Sequence, residues 1–323
     1  MNPLLFLTTT AAVLNGVAGF APTPMHSQGS ATSVLLRMSD YSSYVDVDER
    51  SERNIGPFDE WATTCGVQRA EGFRLFPTNP DDQYNQDDIS AMTDVDLPAG
   101  QPVLGIPANM ILSSSNSKAE LEAMSDSLDE SKANSDAGGV RKAADLLSRL
   151  GAGDTTPKFY LFLKVLLEYS NGSESPYFPW LDSLPRLYYN SVSMTDFCYE
   201  CLPPLVFSLS RRERVKFDNF YDALQQIDSQ IFSEDLKADK DGIIKWAFNA
   251  VHTRCFSGDR SGLSGDGNGI GEGGAGVEEQ RIVPMADMVR ADFDDSLWLP
   301  CVECYSRHSH ILHCVPGLYR IEL

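Results

Sequence analysis

The chain has no apolar run approaching the ~20 residues that a membrane-spanning helix needs. Its greasiest interior stretch, Phe159 to Leu167, is short and carries Lys164. Basic charge is scarce as well: 26 Lys and Arg against 46 Asp and Glu leave a net charge of −20. Nucleic acids and anionic membranes both require basic patches, so neither is expected as a partner. An acidic surface of this kind either keeps the chain soluble or suits a basic substrate. Seven cysteines, odd in number and scattered, do not make a disulfide framework, and reduced thiols fit better. Acidic residues are missing altogether from residues 1–39; the first is Asp40.

That last absence points to an address. Leu4 to Val13 makes a short apolar core, and Val17 and Gly19 leave a cleavage point before Phe20. No Lys or Arg precedes this core. Phe20-Ala-Pro then opens a Ser/Thr-rich, acid-free stretch. The combination resembles the bipartite plastid presequences of algae with secondary plastids, and simple secretion is the alternative. Residues 1–39 are thus read as a presequence and 40–56 as a polar, disordered linker.

From Phe58 to Leu112 short apolar runs alternate with turn chemistry. Leu97-Pro-Ala-Gly100 reads as a turn and Pro102 to Pro107 as a strand. Residues 113–139, rich in Ser, Asp and Glu, predict a solvated helix or loop. Helical patterning follows. Thr156 and Pro157 begin a helix with Phe159, Leu163, Leu166 and Leu167 on one face, and Gly172 stops it. Phe217, Phe220, Tyr221, Leu224, Ile227 and Ile231 form a second stripe; Ile244, Ala247, Phe248, Val251 and Cys255 form a third. Gly258 to Gly276 is an acidic Gly/Ser-rich loop that lacks the Lys-Ser or Lys-Thr end of a phosphate-binding loop.

Four segments and one motif share an order with a known family. They are Phe58-Asp-Glu-Trp61-Ala with Gly66, Glu71-Gly72-Phe73-Arg74-Leu75, and Lys158 to Leu163 running on to Tyr177-Phe-Pro-Trp180-Leu-Asp-Ser-Leu-Pro185. Ala250-Val-His-Thr253-Arg254 and Arg281-Ile-Val-Pro-Met-Ala-Asp287-Met288 complete the set. Across residues 57–288 this order resembles SET-domain proteins of the Rubisco large-subunit methyltransferase-like subfamily.

The resemblance implies an α+β architecture: a β-rich SET fold interrupted by a mostly helical inserted domain. Residues 57–156 would be the N-terminal SET part with its acidic insertion, and 157–252 the helical insert. Residues 253–290 would be the C-terminal SET segment, and 291–323 an atypical tail. It implies transfer of a methyl group from S-adenosylmethionine to a lysine of a soluble protein by a monomeric chain. Glu71, Phe73, Thr253, Arg254 and Asp287 are the implied cofactor-binding residues. Arg254 would take the cofactor's carboxylate through paired hydrogen bonds. Taken without the family, Arg254 would pair with a surface carboxylate and Asp287 would cap a turn.

The pattern breaks after Met288. Arg290 and Ala291 stand where the family has Asn-His, and neither Tyr305 nor Tyr319 has the context of its tyrosine. No catalytic residue is therefore assigned. Val289-Arg290 is encodable by GTN-AGR, an intron-donor-like string, so sequence beyond it is expected not to follow the fold and to leave strand edges unpaired. Cys301, Cys304, His308, His310, His313 and Cys314 offer a metal-binding alternative, but the spacing is poor for zinc. A non-catalytic SET-like protein-binding module is the competing class.

Overall fold

The computed structural model describes residues 44–77, 89–98, 101–130, 139–258 and 279–288, with 312–315 and 318–322 as backbone only. All lie in the unit Ser43–Leu323. The N-terminal part contains α1 (Ile55–Thr64), β1 (Gln68–Arg69), β2 (Phe73–Pro77), β3 (Ile89–Thr93), β4 (Pro102–Pro107) and β5 (Leu112–Ser113). The helices follow: α2 (Ser114–Glu130), α3 (Gly139–Arg149), α4 (Thr156–Ser170), α5 (Phe178–Ser183), α6 (Asp196–Glu200), α7 (Pro204–Leu224), α8 (Glu234–Ala238) and α9 (Lys245–Arg254). Strands β6 (Cys255–Gly258), β7 (Glu279–Ile282), β8 (Leu312–Val315) and β9 (Leu318–Glu322) close the chain. The fold is mixed α+β, with helix predominating among the described residues.

Helix α4 is the axis of the core. Every residue from Pro157 to Glu168 except half-buried Lys158 is buried, so the expected one-sided stripe is instead a helix covered all round. The run Phe-Tyr-Leu-Phe-Leu-Lys-Val-Leu-Leu explains this, since apolar residues occupy every face. Phe220 of α7 meets Phe159 edge-on at 5.2 Å and Phe248 of α9 at 5.4 Å, and Phe217 meets Phe248 at 5.3 Å. Burial of each such ring contributes about 1.5–3 kcal/mol, so this knot of rings unites α4, α7 and α9. The second predicted stripe is split. Helix α7 ends at Leu224, and Ile227 and Ile231 reach the core from the turns beyond it.

Two polar segments are better ordered than their composition suggests. Where a solvated stretch is expected, α2 buries Ser117, Leu121 and Ser125, spaced four apart on one face. Its Glu120 reaches Lys164 Nζ of α4 at 2.6 Å. The predicted linker is likewise corrected over 44–54. Val45 is buried, Asn54 N donates to Asp182 O at 3.1 Å, and Arg53 Nε donates to Ser183 O at 2.7 Å. Specific hydrogen bonds to α5 hold this segment, and composition does not register those.

Among the described residues the strands form three small antiparallel sheets. Strand β7 lies between β5 and β6, so residues before and after the helices share one sheet. Strands β2 and β3 form a hairpin. The fourfold sheet runs β1-β4-β9-β8, with Ile106 opposite Tyr319 and Gly105 opposite Arg320. This corrects the expectation that the tail leaves the strand edge open: β9 pairs with β4 along nearly its whole length. Val103 to Ile106 is an apolar run that suits a strand covered on both faces.

Candidate functional site

Helix α9 ends at Arg254, and the chain returns through β7 to a single 3-10 turn, Ala286–Met288. Before that turn Met285 adopts φ 76°, a left-handed conformation that a non-glycine residue holds at a cost of about 1–3 kcal/mol. It is fully buried, so packing supplies the compensation. The result presents Asp287 inward, its amide bonded to Val283 O at 3.0 Å.

Arg254 Nη1 donates to Asp287 O at 2.9 Å and to Asp287 Oδ2 at 3.1 Å. Trp180 Nε1 of α5 donates to the same Oδ2 at 3.0 Å. The pair is buried, with side-chain exposures of 11% and 0%. Three buried atoms here lack a well-formed hydrogen bond: Arg254 Nε, Asp287 Oδ1 and the Tyr188 hydroxyl, which nonetheless lies close enough to the Arg254 guanidinium to interact with it. Burial alone would lower the Arg254 pKa, but Asp287 and Tyr188 together raise it above the ordinary value. The guanidinium is therefore a fixed cation. Burial pushes Tyr188 up, partly offset by Arg254 and Arg53. The Met288 sulfur lies 3.5 Å from Arg254 Nη1 and 3.9 Å from Arg53 Nη2, so two guanidinium groups border the site.

The loop after α5 fixes Tyr188. Buried Arg186 bridges Asp182 Oδ1 at 2.6 Å and Leu184 O at 3.1 Å, and Asn190 Nδ2 donates to Asn249 Oδ1 at 2.8 Å. A cavity of about 30 Å³ lies beside Tyr188, Arg186, Trp246 and Asn249. That is room for roughly one water.

The structure brings Arg254 and Asp287 into direct contact. Thr253 is adjacent in sequence but exposed, and its hydroxyl donates to Asn249 O at 2.8 Å within the helix. Glu71 is exposed on the turn before β2, and half-buried Phe73 opens that strand opposite Thr93. The turn needs Gly72, whose φ is +75° and whose added Cβ would collide with the Asp94 carboxylate. Arg74 pairs with Asp94 at 2.5 Å on the outer face of the hairpin. This hairpin reaches the Ala286–Met288 turn through β3.

Sequence reading missed Tyr188, Arg53 and the role of Trp180. Only Trp180 carried a signal, as the tryptophan of the Tyr177–Pro185 segment. Residues 259–276, Arg290, Ala291, Cys301, Cys304, Tyr305, His308 and His310 lie outside the described residues. His313, Cys314 and Tyr319 are known by backbone alone. Among the described residues no group of His, Cys, Asp and Glu is arranged to hold a metal, and no helix is long and apolar enough to cross a membrane.

No family model and no curated protein matches the chain. Among solved structures it is similar to the SET domain of LSMT bound to lysine and AdoHcy, with 15% identity and a TM-score of 0.48, over 73% of this chain and 43% of that one. The same domain with methyllysine and AdoHcy gives 16% identity and a TM-score of 0.45, over 72% and 43%. Rubisco LSMT bound to sinefungin and monomethyllysine gives 13% and 0.45, over 82% and 48%. This chain spans less than half the length of the structures it matches. At these identities and scores the functional reading rests on the residues themselves.

Proposed function

We propose that this chain is a SET-like domain that binds S-adenosylmethionine at Arg254 and Asp287, the reaction class of the family it resembles being methyl transfer to a protein lysine. The observation that carries this reading is the buried pair with its two spare atoms. The amino-acid end of the cofactor bears a carboxylate, which needs donors, and an ammonium, which needs an acceptor. Arg254 Nε and Asp287 Oδ1 are a donor and an acceptor of that kind, both desolvated and without a well-formed hydrogen bond, Tyr188 being the guanidinium's other neighbour. The chemistry of these two atoms is therefore complementary to that end of the cofactor. When bound, the cofactor would supply an activated methyl on a sulfonium.

This chain's own part is to bind and orient. Arg254 would hold the carboxylate, Asp287 the ammonium, and Trp180 keeps Asp287 in place. Glu71 and Phe73 would contribute backbone groups from the hairpin side. Correct alignment can lower a barrier by about 7–11 kcal/mol. In the resembling family an Asn-His pair contributes to it, whereas Arg290 and Ala291 stand at those positions here. The reading is accordingly of cofactor binding with little or no transfer by this chain. Titration calorimetry with S-adenosylmethionine tests the binding.

The second reading, a non-catalytic protein-binding module, is favoured by one surface. Leu205, Val206, Phe207, Leu209 and Val215 of α7 are all exposed. Under either reading a lysine-bearing protein suits the net charge of −20. For location we propose a plastid. A reporter fused to residues 1–40 would enter plastids, and a cytosolic reporter would contradict this.

A further inference from the structure

Helix α6 and the residue that caps its C-terminal end carry two thiols that cofactor binding does not use. Cys198 and Cys201 are both free and exposed. Free cysteine is among the most buried residue types, so two on one exposed turn call for a chemical reason. We propose that Cys198 and Cys201 form a redox-active dithiol that closes to an intramolecular disulfide by exchange with a low-molecular-weight disulfide.

The local geometry suits closure. Cys201 N donates to Cys198 O at 3.2 Å, so the two residues are the ends of a single i to i+3 turn. Helix geometry separates such Cα atoms by roughly 5 Å, inside the ~4.4–6.8 Å that a disulfide spans. Thr195 prepares one sulfur. Its hydroxyl oxygen accepts from Cys198 N at 3.4 Å and lies 3.2 Å from Cys198 Sγ, placed to donate to it. A donor at that distance favours the thiolate, and the Cys198 thiol lies below its usual pKa for this reason. Cys255, by contrast, is pushed up to about 12 by burial, and Cys65 is raised by burial too.

The turn is anchored without covering the thiols. The Tyr199 hydroxyl donates to Ser191 O at 2.8 Å, and its ring meets Phe207 edge-on at 6.1 Å. Phe197 and Leu205 on either side are 72% and 71% exposed, so an approaching disulfide meets no cover.

The exchange balances. The Cys198 thiolate attacks one sulfur of the incoming disulfide, forming a mixed disulfide and expelling a thiolate. The Cys201 thiolate then attacks the Cys198 sulfur, forming the intramolecular bond and expelling the second thiolate. Two electrons pass from the dithiol to the disulfide, and the two cysteine protons end on the released thiols or in buffer.

The test uses the full chain equilibrated with oxidised and reduced glutathione in graded ratios, followed by alkylation and peptide mass mapping. The expected result is a Cys198–Cys201 disulfide that forms under oxidised glutathione and reopens under reduced. Cys201→Ser should accumulate one glutathione at Cys198, whereas Cys198→Ser should react at Cys201 several-fold more slowly. Thr195→Val should slow attack by Cys198 several-fold. Near-ultraviolet circular dichroism confirms that each variant is folded. Glutathione on both cysteines without closure, or both remaining alkylatable under oxidised glutathione, would overturn the dithiol. An unchanged rate in Thr195→Val would overturn the assignment of Cys198 as the attacking thiol.

Discussion

Arg254 and Asp287, 33 positions apart in sequence, form one buried pair that leaves Arg254 Nε and Asp287 Oδ1 without a well-formed hydrogen bond. Such a pair is costly to break from one side, because the remaining charge stays desolvated. Arg254→Ala should therefore destabilise the fold by about 3–5 kcal/mol. Changing both members, as in Arg254→Met with Asp287→Asn, should cost clearly less, since no buried charge is orphaned. Urea denaturation of the three proteins checks this; equal losses in the single and double variants would contradict it.

A second buried cation ties α2 to α4. Lys164 Nζ lies 2.6 Å from Glu120 and 2.7 Å from Glu168, and Ser175 donates to the other Glu168 oxygen at 2.5 Å. Burial would lower the Lys164 pKa, but the two carboxylates raise it above its usual value. The sign follows: a raised lysine pKa stabilises the fold at neutral pH, and that stability is lost as pH climbs beyond about 10.5. Lys164→Met should cost about 3–5 kcal/mol at pH 7 by stranding Glu168. Its stability should then fall less than the wild type's between pH 9 and 11.5, as urea midpoints would show.

Legibility in the sequence followed local periodicity and failed where long-range polar contacts decide. The strand at Pro102 to Pro107 and the start of α4 within a residue of Thr156 were readable, because a short apolar run between turn residues and a proline at a helix start are local signals. The order at 44–54 was not, because it rests on hydrogen bonds to Asp182 and Ser183 far along the chain. In the site, Arg254 and Asp287 stood out through their motifs. Tyr188 had no motif, and only the loop held by Arg186 brings its hydroxyl to the pair.

His252 should give the fold an acid limb. Its ring stacks on Phe248 at 4.2 Å, and Nδ1 is buried without a partner. Glu213 lies 3.6 Å from Nε2, yet burial, with Lys158 and Lys216 nearby, lowers the pKa to about 3. A depressed histidine pKa means that the unfolded chain takes up the proton first. Stability is thus complete above about pH 6.5 and declines below it by at most ~1.4 kcal/mol per pH unit. His252→Phe keeps the stack and removes the titration. Its urea midpoint should fall less than the wild type's between pH 7.5 and 5, and identical slopes would contradict the assignment.

The most direct measurement is titration calorimetry of the folded chain with S-adenosylmethionine, run on the wild type and on Arg254→Lys, Asp287→Asn and Thr253→Val. The account predicts saturable binding by the wild type. It predicts a loss of about 1.5–3 kcal/mol in Arg254→Lys, where the guanidinium's extra donors are gone. Asp287→Asn should weaken binding too, because the acceptor loses its charge. Thr253→Val should bind like the wild type, since that hydroxyl is engaged with its own helix. Circular dichroism on each sample separates lost binding from lost folding. No binding by a folded wild type, or equal binding by wild type and a folded Arg254→Lys, would contradict the assignment of the buried pair as the cofactor site.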